Sequence, residues 1–84
     1  MKPTHREEAN MKDSELIAIA IAFAVKRHKL RSDSILAIDI RKRVITKVHL
    51  YLKGSPIKVV VEFDNNNQPA RSYIEELALP IIMP

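Results

Sequence analysis

Residues 44–63 read VITKVHLYLKGSPIKVVVEF, two alternating runs joined by Gly54-Ser55, and this stretch decides the fold. Apolar alternation of period two, β-branched content and a Gly-Ser break together mark a β-hairpin. With Gly54 and Ser55 as the loop, Lys53 faces Pro56, Leu52 faces Ile57 and Leu50 faces Val59. Further out, Val48 faces Val61, Lys47 faces Glu62 and Thr46 faces Phe63. This register gathers Val48, Leu50, Leu52, Ile57, Val59, Val61 and Phe63 on one face. It also sets the only acid of the second run opposite a lysine, a favourable cross-strand pair. A slip of one residue would scatter the apolar set over both faces.

Upstream of the hairpin, residues 34–40 alternate as well, with Leu36, Ile38 and Ile40 on one face and Ile35, Ala37 and Asp39 on the other. They predict a first strand, followed by a turn at Arg41-Lys42-Arg43. Residues 14–29 predict a helix. Asp13 or Ser14 supplies an N-cap, Glu15 suits the first turn, and Lys26, Arg27 and Lys29 suit the last. The interior, LIAIAIAFAV over residues 16–25, is apolar without a break. A bilayer span needs about 20 such residues, so the segment implies no membrane insertion, and its basic cluster follows the apolar run rather than leading it as in a signal peptide.

A helix apolar all round has to be covered on more than one side. The sheet covers one. Ala18, Ala20, Ala22 and Ala24 mark a second side that either the C-terminal segment or another subunit must cover. Downstream of the hairpin, DNNNQ is a loop. Pro69 suits the first turn of a second helix, with Asn67 as its cap and Pro80 as its stop, over residues 67–79. The chain closes on the apolar sequence Pro80-Ile81-Ile82-Met83-Pro84, a strap expected to dock on its own core or on a partner.

The expected architecture is therefore α+β in the order α-β-β-β-α. A three-stranded antiparallel sheet packs on one long apolar helix, with an apolar C-terminal strap. Residues 1–12, polar and without an apolar period, form a disordered or loosely docked arm ahead of a single small domain at residues 13–84. At 84 residues such a core is small, and burial in a homo-oligomer, a dimer first, is the natural supplement. Ala18, Ala20, Ala22, Ala24, Ile81, Ile82 and Met83 are the expected contacts. The α-β-β-β-α order resembles that of double-stranded-RNA-binding domains. Here, however, the second helix would carry Glu75-Glu76, and the loop is Lys53-Gly54-Ser55-Pro56 rather than a GPxH type.

Charge is unevenly spread. Residues 26–58 hold ten Lys/Arg and two acids, Asp33 and Asp39, whereas the rest of the chain is net acidic and the total is +4. A basic middle of this kind meets phosphates or an acidic partner. On the hairpin face opposite the apolar set, Lys47, His49, Tyr51, Lys53 and Lys58 alternate outward, and Arg41-Lys42-Arg43 lies at the sheet's end. These are the candidate nucleic-acid-binding residues. Lysines around an aromatic on a sheet face match the chemistry of single-strand platforms, although lysines also serve simply to guard a sheet against aggregation.

Catalysis finds no support in the sequence. Histidines occur at 5, 28 and 49 without metal-ligand spacing, Cys is absent, and the lone glycine leaves no Gly-rich phosphate loop. No catalytic, metal or cofactor residue is assigned. The absence of Cys fits a reducing, cytoplasmic setting. Function is accordingly expected to be that of a small non-enzymatic, self-associating interaction or accessory module with a protein partner. A dimeric nucleic-acid-binding protein is the alternative.

Overall fold

A computed structural model describes residues 12–77, and within them one helix packs on a four-stranded antiparallel sheet. Helix α1 spans Asp13–His28 and a single 3-10 turn follows at Ser32–Ser34. Strands β1 (Ile35–Lys42), β2 (Thr46–Leu52), β3 (Ile57–Phe63) and β4 (Pro69–Glu76) then pair in chain order, β1-β2-β3-β4. No helix among the described residues is long and apolar enough to cross a membrane. The predicted arm, apart from Lys12, and the strap with Ile81, Ile82 and Met83 lie outside the described residues.

The central hairpin has the predicted register, with Thr46 opposite Phe63, Lys47 opposite Glu62, Val48 opposite Val61 and Leu50 opposite Val59. Its loop turns at Gly54 with φ 66, the left-handed conformation that glycine adopts at least cost. The core forms where Leu16, Ala20 and Ala24 of α1 meet Val48, Leu50, Val59, Val61 and Phe63. Those helix positions are four residues apart and so share one face. Two of them being alanine, the backbone can lie close to the sheet. Ala18 and Ala22 point outward and are exposed, while Ala20 and Ala24 are fully buried against the chain's own sheet. The four alanines therefore divide, and only two remain available to another molecule.

Both ends of α1 are tied to the sheet. At its start, Asp13 Oδ1 accepts from Lys42 Nζ at 2.6 Å, which places Lys42 on the helix side of β1. At its end, His28 Nε2 lies 2.8 Å from Ser72 Oγ on β4. The cap differs from the expected Asp13 or Ser14. Lys12 is the N-cap, and the Glu15 carboxylate accepts its backbone N–H at 3.1 Å. At the other terminus Lys29 takes a left-handed conformation and Leu30 N–H donates to Val25 O at 3.2 Å, a C-terminal motif that satisfies an orphan carbonyl.

Three further expectations are corrected. The segment predicted as a second helix is the strand β4, so the sheet has four strands and the order is α-β-β-β-β. The reason lies in β3. Its outer edge, flanked by buried Val59, Val60 and Val61, needs a hydrogen-bonding partner, and residues 69–76 return directly onto it. The return is built by Asp64, whose side chain accepts the N–H groups of Asn66 (2.8 Å) and Gln68 (3.0 Å), while Asn67 takes φ 59. Pairing then sets Arg71 opposite Glu62 and Glu75 opposite Lys58. Those are charge matches that no local propensity records. Second, β1 runs on through Arg41 and Lys42, so the turn consists of Arg43, Val44 and Ile45 instead of Arg41-Lys42-Arg43. Third, an irregularity between Ile35 and Ala37 puts Ile35 opposite Leu52, as Ile38 is opposite Leu50 and Ile40 opposite Val48, and leaves Leu36 65% exposed instead of sharing a face with Ile38 and Ile40.

Candidate anion site on the open sheet face

Alternation sends every second residue of each strand to the face away from α1. Across that face, in register, lie Asp39 of β1, His49 of β2, Val60 of β3 and Tyr73 of β4. One row further along come Ala37, Tyr51, Lys58 and Glu75, and on the other side Arg41, Lys47, Glu62 and Arg71. No helix among the described residues covers this face, and its centre is nonetheless dry. Val60 is fully buried and His49 is 5% exposed.

A cavity of about 720 Å³ opens on this face. Arg41, Lys47, His49 and Lys58 line it from the sheet, Arg43, Val44 and Ile45 from the β1–β2 turn, and Tyr73 and Glu75 from β4. Its size falls in the range that holds small ligands. The predicted set is thus split. Arg41, Arg43, Lys47, His49 and Lys58 come together at the cavity, and Tyr51 stands beside it with Lys58 Nζ 5.5 Å from its ring centroid. Lys42 is on the opposite face with Asp13, and Lys53 is exposed at the β2–β3 turn. Tyr73, Glu75, Val44 and Ile45 were not anticipated. The alternation Arg71, Tyr73, Glu75, complementary to Glu62 and Lys58 in antiparallel order, is the signal that would have found the β4 pair.

Ion pairs around the cavity are of two kinds. Arg41 Nε donates to Asp39 Oδ2 at 2.8 Å, a charge-assisted hydrogen bond of full strength, and Arg71 Nε forms an ion pair with Glu62 Oε1 at 2.9 Å. Lys47 stands 3.6 Å from Glu62 and Lys58 3.4 Å from Glu75, too far for that strength. Glu62 Oε2 also accepts from Tyr73 Oη at 3.0 Å. Arg43 makes no ion pair among the described residues.

The hydrogen bond from Arg41 holds the Asp39 carboxyl below the usual carboxylate range, and the same bond raises Arg41. Burial lowers the titration of His49, with the positive charges of Lys58 and Arg41 adding to it against Asp39 and Glu75. The imidazole is thereby kept neutral near pH 7, with one N–H to donate and one nitrogen to accept. Neither ring nitrogen has a hydrogen-bond partner. Among the described residues no three His, Asp or Glu side chains converge as metal ligands. What the cavity offers is positive charge, donors and a partly apolar wall, a combination suited to an anion with an organic body. Comparisons with protein-family models, with characterised proteins and with solved structures found no match to this chain.

Proposed function

We propose that the chain is a small binding module that takes single-stranded nucleic acid on the sheet face opposite α1. The observation that carries this reading is convergence. Arg41, Arg43, Lys47 and Lys58 come from three strands and a turn to one cavity, and Tyr51 and Tyr73 stand on the same face to stack bases. Base–aromatic stacking and phosphate contact are the two terms that bind a single strand without sequence readout.

Fluorescence anisotropy with a labelled mixed-sequence strand of about twelve nucleotides tests it. Binding at low salt should weaken with a log–log slope of about −2 to −3, the value for three or four phosphates neutralised on a single strand. Arg43→Glu, which breaks no ion pair among the described residues, should weaken binding at least roughly tenfold with the circular dichroism unchanged, as expected when a charge contact turns repulsive. No binding at low salt would sink the reading.

Self-association is the second reading. It is favoured by Ala18 and Ala22 on the outer face of α1 and by the exposed Leu36 and Ile74. Light scattering on the wild type and on Ala22→Asp separates the two. A discrete oligomer that this substitution dissociates would support it, and a monomer would remove it.

A further inference from the structure

Packing alone does not account for His49. A buried polar side chain is almost always hydrogen-bonded, yet this ring is 5% exposed with both nitrogens unpartnered. The groups that face it are already engaged. On β1, Asp39 holds Arg41. On β3, Glu62 is shared by Arg71, Lys47 and the Tyr73 hydroxyl. On β4, Glu75 faces Lys58, and Tyr51 on β2 lies under the same ammonium. The imidazole also lines the cavity, with both nitrogens closed to solvent.

Charge narrows the ligand. Four cations (Arg41, Arg43, Lys47 and Lys58) and one carboxylate (Glu75) line the cavity. With Asp39, Glu62 and Arg71 of their ion-pair network included, five cations stand against three carboxylates, a surplus of two positive charges. The two lysines are held at 3.6 and 3.4 Å from their acids, well beyond the contact distance of a charge-assisted bond, so both ammoniums have room to reach a third group. A dianion neutralises this surplus; a monoanion does not.

We infer that the cavity is a subsite for a phosphate monoester, with Lys47, Lys58 and Arg43 meeting its oxygens and the His49 ring turning to donate an N–H to one of them. The inference rests on the nucleic-acid reading of the open face, for it makes the monoester the terminal phosphate of the bound strand. An internal phosphodiester carries one charge and must be threaded by chain on both sides. A terminal monoester carries about 1.5–2 charges at neutral pH and enters end on. Burial and, after it, the charges of Lys58 and Arg41 depress the His49 titration; the monoester's negative charge opposes those two cations and so acts to raise it.

The test uses the full chain and internally labelled strands of about ten nucleotides carrying a 5′-phosphate, a 3′-phosphate or neither. Inorganic phosphate and adenosine 5′-monophosphate run in parallel, with the histidine ring signals followed by NMR. One phosphorylated strand should bind at least roughly tenfold tighter than the unphosphorylated one, the worth of a charged hydrogen bond. The His49 ring signals should move and titrate at higher pH in that complex. His49→Gln should abolish the preference, bringing the phosphorylated and unphosphorylated strands to equal affinity. Equal affinities with unmoved His49 signals overturn the subsite while the surface reading stands. Strands that fail to bind while inorganic phosphate or the nucleotide moves His49 uphold the phosphate site and remove the nucleic acid. Silence from every ligand overturns both.

Discussion

Replacing His49 by leucine should make this protein more stable. The side chain is buried with two unpaired polar atoms, and each such atom costs about 1–3 kcal/mol in lost hydration. Leucine has a similar volume, no polar atom and no charge, and it meets Val60 across the strand, where an apolar pair is favourable. Allowing for imperfect shape, the expected net gain is about 1–2 kcal/mol. For a domain of this size that raises Tm by roughly 5–15 °C. A proton-linked component comes with it. The folded-state pKa of His49 lies below its ordinary value of 6.5, so the unfolded chain binds the proton more readily. The stability held by neutral His49 is complete above pH 6.5 and is lost as pH falls through 6.5 towards the folded pKa. Urea unfolding of wild type and His49→Leu at pH 7.5, 6.5 and 5.5 reads both effects. The gap between the two proteins should widen as pH falls. A leucine variant less stable than wild type at pH 7.5, or a gap that does not change with pH, would refute the reasoning. Because stability gained at such a position is characteristically paid in function, the same variant should lose the terminal-phosphate preference.

Two further outcomes follow from the packing. Ala20→Leu should cost about 1–3 kcal/mol by overfilling the α1–sheet interface, whereas Ala22→Leu, on the exposed face of the same helix, should stay within about 0.5 kcal/mol; chemical denaturation of the pair checks which face meets the sheet. Gly54→Ala should cost on the order of 1 kcal/mol. A Cβ there meets no atom within 4 Å, so the cost is that of a left-handed φ alone, and the m-value should be unchanged.

The central hairpin was legible residue by residue because three independent signals agree on one register. The period-two pattern, the Gly54-Ser55 turn and the Lys47–Glu62 pair each exclude a slip, and all act between residues close along the chain. The helix was legible as a helix, but not which of its faces is inside. Ile17, Ile19, Ile21 and Phe23 interleaved with alanines leave no polar stripe, so only the sheet selects Leu16, Ala20 and Ala24 for burial. The candidate site was half visible. Parity along β2 and β3 brings Lys47, His49, Tyr51 and Lys58 to one face, whatever the rest of the fold does. The burial of His49, the approach of Arg43 with Val44 and Ile45, and the wall formed by Tyr73 and Glu75 depend on long-range pairing. That pairing also decided β4. Residues 69–76 contain Ala, Arg and Glu, good helix formers, after a proline that suits a first turn. A helix there would have left the edge of β3 unpaired, and pairing along a whole strand outweighs an intrinsic preference of a few tenths of a kcal/mol per residue.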